Sequence, residues 1–229
     1  MLLKNDAALL IQGFFAAYRF KKQAALRQAI DNSPYAQLLR AFDLRFQCMR
    51  AVAVAKFPIN KPLEDHDQIA RVITSVTELA KEKGIHNLEA VAQLFQHNIS
   101  LSTAIQSPYY DLIWRKSHYG NLDMQQLINS ACNQLRQLVC SYNLPIVCQV
   151  EQPNYTPEEV LALARDIIQH ASKTIIELLA PRNQLIDKID QEQFAEAIET
   201  MLTNYMTPSM LIQSKENIRV LTGCVALTS

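Results

Sequence analysis

Apolar residues recur every three or four positions through nearly the whole chain, in long stretches rich in Ala, Leu and Gln, and alternating Val/Thr/Ile runs are almost absent. A spacing near 3.6 gathers such residues on one helix face, whereas a half-buried strand needs a spacing of two. The sequence therefore predicts an all-α fold. With four glycines and nine prolines in 229 residues, breaks between helices are few. A first helix is expected from about Asp6 to Ile30, ending at Asn32-Ser33-Pro34 because the residue before a proline is pushed out of the α region. A second spans Tyr35 to Lys56. Pro58 and Pro62 enclose a short loop, Asp65 caps a helix that reaches Lys83 with Gly84 as its C-cap, and Asn87 caps the next. That fourth helix, Leu88 to Gln106, is expected to stop at Ser107-Pro108, leaving a connecting segment around Trp114 that ends at Gly120. The pattern resumes from Asp123 to Tyr142. Leu144 to Tyr155 reads as a loop, and Thr156-Pro157-Glu158-Glu159 is a helix start. Helices continue to Leu179 and from Arg182 to Tyr205. In the tail, Ile218 to Leu227 allow a short strand.

Twenty-two Lys and Arg balance twenty-two Asp and Glu, so no broad positive field draws nucleic acid or an anionic membrane. An anionic ligand must instead be met by a few placed cations. No apolar run approaches the length of about 20 residues that spans a bilayer. The five cysteines, Cys48, Cys132, Cys140, Cys148 and Cys224, form no CxxC pair and read as free thiols in a reducing compartment. Cys132, Cys140 and Cys148 lie about two helical turns apart, which predicts burial on one face for at least the first two. The apolar run Ala7 to Tyr18 has Asp6 before it and Arg19-Phe20-Lys21-Lys22 after it. It reads as a retained amphipathic helix rather than a secretory leader, and the expected location is cytoplasmic, with export by a route other than a signal peptide as the alternative. His66, His86, His97, His118 and His170 have no metal-ligand spacing, and no Ser/His/Cys arrangement suggests a nucleophile. Neither metal nor cofactor is expected.

The chemistry concentrates on two helices. Arg45 and Lys56 are eleven residues apart, close to three whole turns and about 16 Å along the axis, so they share a face whose intervening residues Met49 and Val52/Ala53 are apolar or small. On the fourth helix, Ser102 and Gln106 are four apart and share a face with core residues such as Phe95 and Ile99. A buried Gln amide needs partners for two donors and an acceptor, which a polar neighbour or a ligand supplies.

The run Arg45-Phe-Gln-Cys-Met-Arg-Ala-Val-Ala-Val-Ala-Lys56, then Lys61-Pro-Leu-Glu-Asp65, Leu94-Phe95 and Ser102-Thr-Ala-Ile-Gln106, resembles the AroQ class of chorismate mutases over roughly Leu26 to Tyr110. The resemblance implies an all-helical bundle that converts chorismate to prephenate without a cofactor. It implies that Arg45 binds a substrate carboxylate, that Lys56 meets a carboxylate and the ether oxygen, and that Gln106 gives the second ether contact. Asp65 would belong to the group holding the ring hydroxyl, and Ser102 would contact the ring carboxylate. Leu26-Arg27-Gln-Ala-Ile30-Asp31 resembles the opening of the simple intertwined dimers and makes Arg27 a candidate second carboxylate ligand, with a homodimer as one assembly. The spacing from Arg27 to Arg45 is one residue longer than in that group, and Asn32-Ser33-Pro34 interrupts a helix that is continuous there. Ile69 stands where the family usually has Glu, and Gln68 where an Arg often precedes it; Asp67 is the nearest alternative hydroxyl acceptor. Other features resemble the larger exported subclass, whose second half lends the site an arginine, a role open here to Arg115 or Arg136.

Three regions follow: residues 1–25 as an N-terminal amphipathic helix, 26–120 as the mutase-like helical domain, and 121–229 as an additional C-terminal helical segment. A competing reading comes from Ile11-Gln12 through Arg19 and Lys21, which resembles the IQ motif that binds calmodulin-like proteins, although Ala16 and Ala17 replace its usual Arg-Gly pair. Five cations against two anions in residues 1–31 keep that reading open, with a catalytically degenerate mutase scaffold as a binding protein.

Overall fold

Most of the described helices start at side chains that satisfy the first free backbone N–H groups. In the computed structural model, which describes residues 35–118, 122–148, 154–181 and 190–228, Asp65, Asp123, Thr156, Asp190 and Thr207 all act in this way. The described residues form eight helices: α1 Ala36–Gln47, α2 Met49–Lys56, α3 His66–Glu82, α4 Leu88–His118, α5 Met124–Ser141, α6 Pro157–Leu179, α7 Gln191–Leu202 and α8 Pro208–Ala226. No described residue lies in a strand. Thr156 closes a full capping box with Glu159, and Gly84, at φ +81°, turns the chain after α3 in the left-handed region that suits glycine. The first expected helix, the IQ-like segment and Arg27 lie outside the described residues.

Four expectations need correction. The helix from Tyr35 to Lys56 is divided at Cys48, whose backbone stays helical in its angles but whose N–H bonds to the Arg45 carbonyl, tightening one turn. The fourth helix does not stop at Ser107-Pro108: α4 runs through Pro108 to His118. Pro108 cannot give Ala104 its hydrogen bond, a loss worth about 3 kcal/mol in a helix interior. Its ring lies on the exposed side, and the residues after it are anchored: Tyr110 meets Phe57 edge-on at 5.1 Å, Tyr109 lies under Arg50, and Ile113 is in the core. Tertiary packing thus carries the helix past its local breaker. The tail is α8, not a strand, because Ser214, Ile218, Leu221 and Val225 are buried at a helical spacing. Cys132 is buried but Cys140 is exposed; eight residues turn a helix about 80° beyond two full turns, enough to leave the buried face. Of the helix expected from Arg182 to Tyr205, the described portion is α7, capped by Asp190.

α4 is the axis of the packing. α2 and α3 lie against it, and α8 runs antiparallel along it, with His97 Nδ1 2.8 Å from Asn217 Oδ1 and Gln93 facing Cys224. α6 packs against α1, α2, α3 and α5. Lys83 at the end of α3 forms an ion pair with Glu177 of α6 at 3.3 Å. Phe194 of α7 sits between Tyr35 and Phe42. One hydrophobic cluster, from Tyr35 to Val225, joins all eight helices. Buried Asp43 ties three parts of the chain: Tyr205 donates its hydroxyl at 2.5 Å, Gln47 its amide at 2.5 Å and Tyr142 its hydroxyl at 3.2 Å. Burial and the Asp43 carboxylate push the Tyr205 hydroxyl well above its ordinary pKa.

Candidate functional site

α1 and α2 run parallel to α4, in a register read from three contacts: Arg45 with Asn98, Met49 with Gln106, and Phe57 with Tyr110. The apolar spacing of both elements places their inward faces together, and the few polar residues on those faces meet in the interior. Asn98, Ser102 and Gln106 repeat every four residues along α4, and all three are buried.

Arg45 is at the centre of this set and is only 3% exposed. Its Nε donates to Asn98 Oδ1 at 2.6 Å, its Nη1 donates to the Ser172 hydroxyl on α6, and its plane lies over the Phe95 ring at 5.5 Å. Among the described residues no carboxylate pairs with it. Burial without a counter-ion pulls its pKa from 12.5 to about 10, opposed only by the Cys48 thiol, which burial raises to about 12. At neutral pH the guanidinium is still charged, so the interior holds a cation to which the described residues bring no anion.

Gln106 donates its Nε2 to Met49 Sδ and to the Ser102 carbonyl, both at 3.2 Å, and its Oε1 is buried without a partner. Thioether sulfur is a weak acceptor. Ser102 donates to the Asn98 carbonyl one turn back at 2.9 Å. Among the described residues, the Nδ2 of Asn98 is the other buried side-chain polar atom without a partner. Lys56, half-buried at the end of α2, gives one of its three N–H groups to the Leu63 carbonyl at 2.8 Å. Burial lowers its pKa, the Asp65 charge opposes that shift, and Lys61 adds to it. Asp65 is close enough to act on Lys56, yet its own Oδ1 accepts the Gln68 N–H at 2.9 Å as the α3 cap.

Arg45, Ser102 and Gln106 are therefore all buried along the seam between α1/α2 and α4, with Arg45 on Asn98 and Gln106 on Met49 two turns further along α4, while Lys56 at the far end of α2 feels the charge of Asp65. Arg115 and Arg136 do not join the hydrogen-bonded set around Arg45. Arg115 is exposed, nine residues and about 13 Å beyond Gln106 on α4, and Arg136 donates to the Tyr155 hydroxyl at 3.0 Å. Ile69 is half-buried, while Asp67 and Gln68 are exposed on the first turn of α3. Sequence reasoning missed Asn98 and Ser172. Asn98 was visible as the polar residue one turn before Ser102 on the same face; Ser172, 127 residues from Arg45, carries no local signal.

A buried cation, neutral hydrogen-bonding groups and two unpartnered polar atoms on an apolar floor suit an organic anion that is held rather than attacked. Residues 26–107 match the family model of chorismate mutase type II, a little over a third of the chain and the part that holds Arg45, Lys56, Asp65, Ser102 and Gln106. No curated protein and no solved structure matches the chain.

Proposed function

We propose that this protein is a chorismate mutase, an isomerase that rearranges chorismate to prephenate. The observation that carries the reading is Arg45: a buried guanidinium with no carboxylate partner among the described residues, inside the segment that matches the family. A Claisen rearrangement breaks a C–O bond and forms a C–C bond within one molecule. It calls for a flexible dicarboxylate to be held in a compact chair and for stabilisation of negative charge growing on the ether oxygen. Arg45 would hold a carboxylate with its planar fork, and Arg27 is the candidate for the second. Lys56, with two N–H groups left over from Leu63, would meet a carboxylate and the ether oxygen. Gln106 would exchange the Met49 sulfur for that oxygen, a better acceptor as its charge grows. Ser102 would contact the ring carboxylate, and the start of α3 at Asp65 would hold the ring hydroxyl. Loss of either ether-oxygen donor should cost on the order of 3 kcal/mol of transition-state stabilisation.

The test is the loss of chorismate absorbance with purified full-length protein. Conversion well above the uncatalysed rate, unchanged by a chelator, is expected. A folded, helical but inactive protein would overturn the reading and favour the partner-binding alternative, for which Ile69 in place of the expected Glu is the supporting observation.

A further inference from the structure

Arg45 has three nitrogens and the protein uses two: Nε on Asn98 Oδ1 and Nη1 on Ser172, while no described residue takes a hydrogen from Nη2. Asn98 is likewise half used. Its Oδ1 accepts from Arg45, and its Nδ2, on the other arm of the same planar amide, is buried with no partner in a residue of zero exposure. A buried amide donor is costly to leave unmatched, and the great majority in folded proteins find an acceptor. Here the acceptor is missing beside a guanidinium that also has hydrogens to give. A carboxylate has two oxygens and about four lone-pair sites, enough to take one hydrogen from each group.

We propose that Asn98 is a substrate-binding residue: its Nδ2 donates to the carboxylate that Arg45 holds through Nη2, while its Oδ1 and the Ser172 hydroxyl fix the guanidinium in place. This assignment rests on the mutase reading of the same site. It gives α4 three consecutive turns of contact, Asn98 and Ser102 on carboxylates and Gln106 on the ether oxygen. It also gives α6 a positioning role through Ser172, which touches Arg45 rather than substrate.

Two substitutions separate a donor from a mere support, and neither adds a charge to the site. Asn98→Leu removes the Nδ2 donor together with the acceptor for Arg45 Nε; Ser172→Ala removes only a support of Arg45. If Asn98 only supports Arg45, the two variants raise KM for chorismate alike. The donor role predicts that KM rises about tenfold more in Asn98→Leu than in Ser172→Ala, equivalent to about 1.4 kcal/mol, with kcat changed less and with a cooperative thermal transition retained. Asn98→Ala takes the place of the Leu variant should that variant not fold. A KM in the folded Asn98 variant within threefold of that of Ser172→Ala, with the wild type active, overturns the assignment and leaves the mutase reading standing. An inactive wild type sinks that reading first.

Discussion

Gln106 and Glu differ at one atom, and that difference fixes how the site answers to pH. In its proposed role the Gln106 amide donates to the ether oxygen at any ordinary pH, whereas a carboxyl donates only when protonated, with a reference pKa near 4.3. Gln106→Glu should therefore be most active in acid and fall as pH rises, while the wild type shows little loss from this group between about pH 5 and pH 8. Burial and the growing charge raise the variant's carboxyl pKa and Lys56 lowers it, so the direction of the profile is the checkable quantity. Equal rates for the two proteins at pH 8 would remove Gln106 from the ether oxygen. One turn from Arg45, Cys48 makes a stability prediction. Its thiol rises from about 9 to about 12, so the folded chain keeps a proton that the unfolded chain loses, and stability is lost as pH rises from about 9 towards 12. Arg45 has the opposite sign: its folded pKa of about 10 is below the unfolded value, so its contribution to stability grows from about pH 10 to 12.5. In Cys48→Ala the urea midpoint should fall less steeply above pH 9 than in the wild type. An unchanged slope would show that the thiol titrates alike in both states.

At the scale of the helix, Pro108 is the position where local chemistry and packing disagree. Pro108→Ala restores a donor for the Ala104 carbonyl on an exposed position of α4. Set against the added freedom of the unfolded chain, it should stabilise the protein by about 1–2 kcal/mol in urea unfolding. A lower midpoint would mean that the bundle uses the proline's geometry at that point. The same position marks where the sequence was legible and where it was not. Caps could be read directly, because Asp65, Asn87, Asp123 and Thr156 act within three residues of themselves. The run past Pro108 could not, because it depends on Phe57, Arg50 and the core around Ile113. The strand allowed in the tail gives way to a helix because the buried residues, at 214, 218, 221 and 225, follow the helical period. In the site, Arg45, Lys56, Ser102 and Gln106 were visible by spacing on two helices, whereas Ser172 reaches Arg45 only through the fold.

Considered as a whole, the described residues before and after residue 120 share one apolar core. The cluster that buries Leu38, Phe46 and Leu101 is continuous with Ile167, Ile175 and Leu221, and Asp43 of α1 is bonded by tyrosines 142 and 205. A chain ended after residue 120 would uncover the faces of α1, α2 and α4 that α6 and α8 occupy. It should lose chorismate binding and cooperative thermal unfolding together; a soluble, cooperatively folding and active 1–120 fragment would contradict this. The shared core also bears on how the site moves. An opening of α4 that exposed the backbone of Leu101 or Ile105 would have to part from α8 as well as from α2. Slowly exchanging amides at those positions should therefore be released by the same global event, at the same free energy, as those of Ile175 and Ile176 on α6. The segment that holds Arg45 and Gln106 would have no private stability: solvent would reach its backbone only when the whole bundle comes apart.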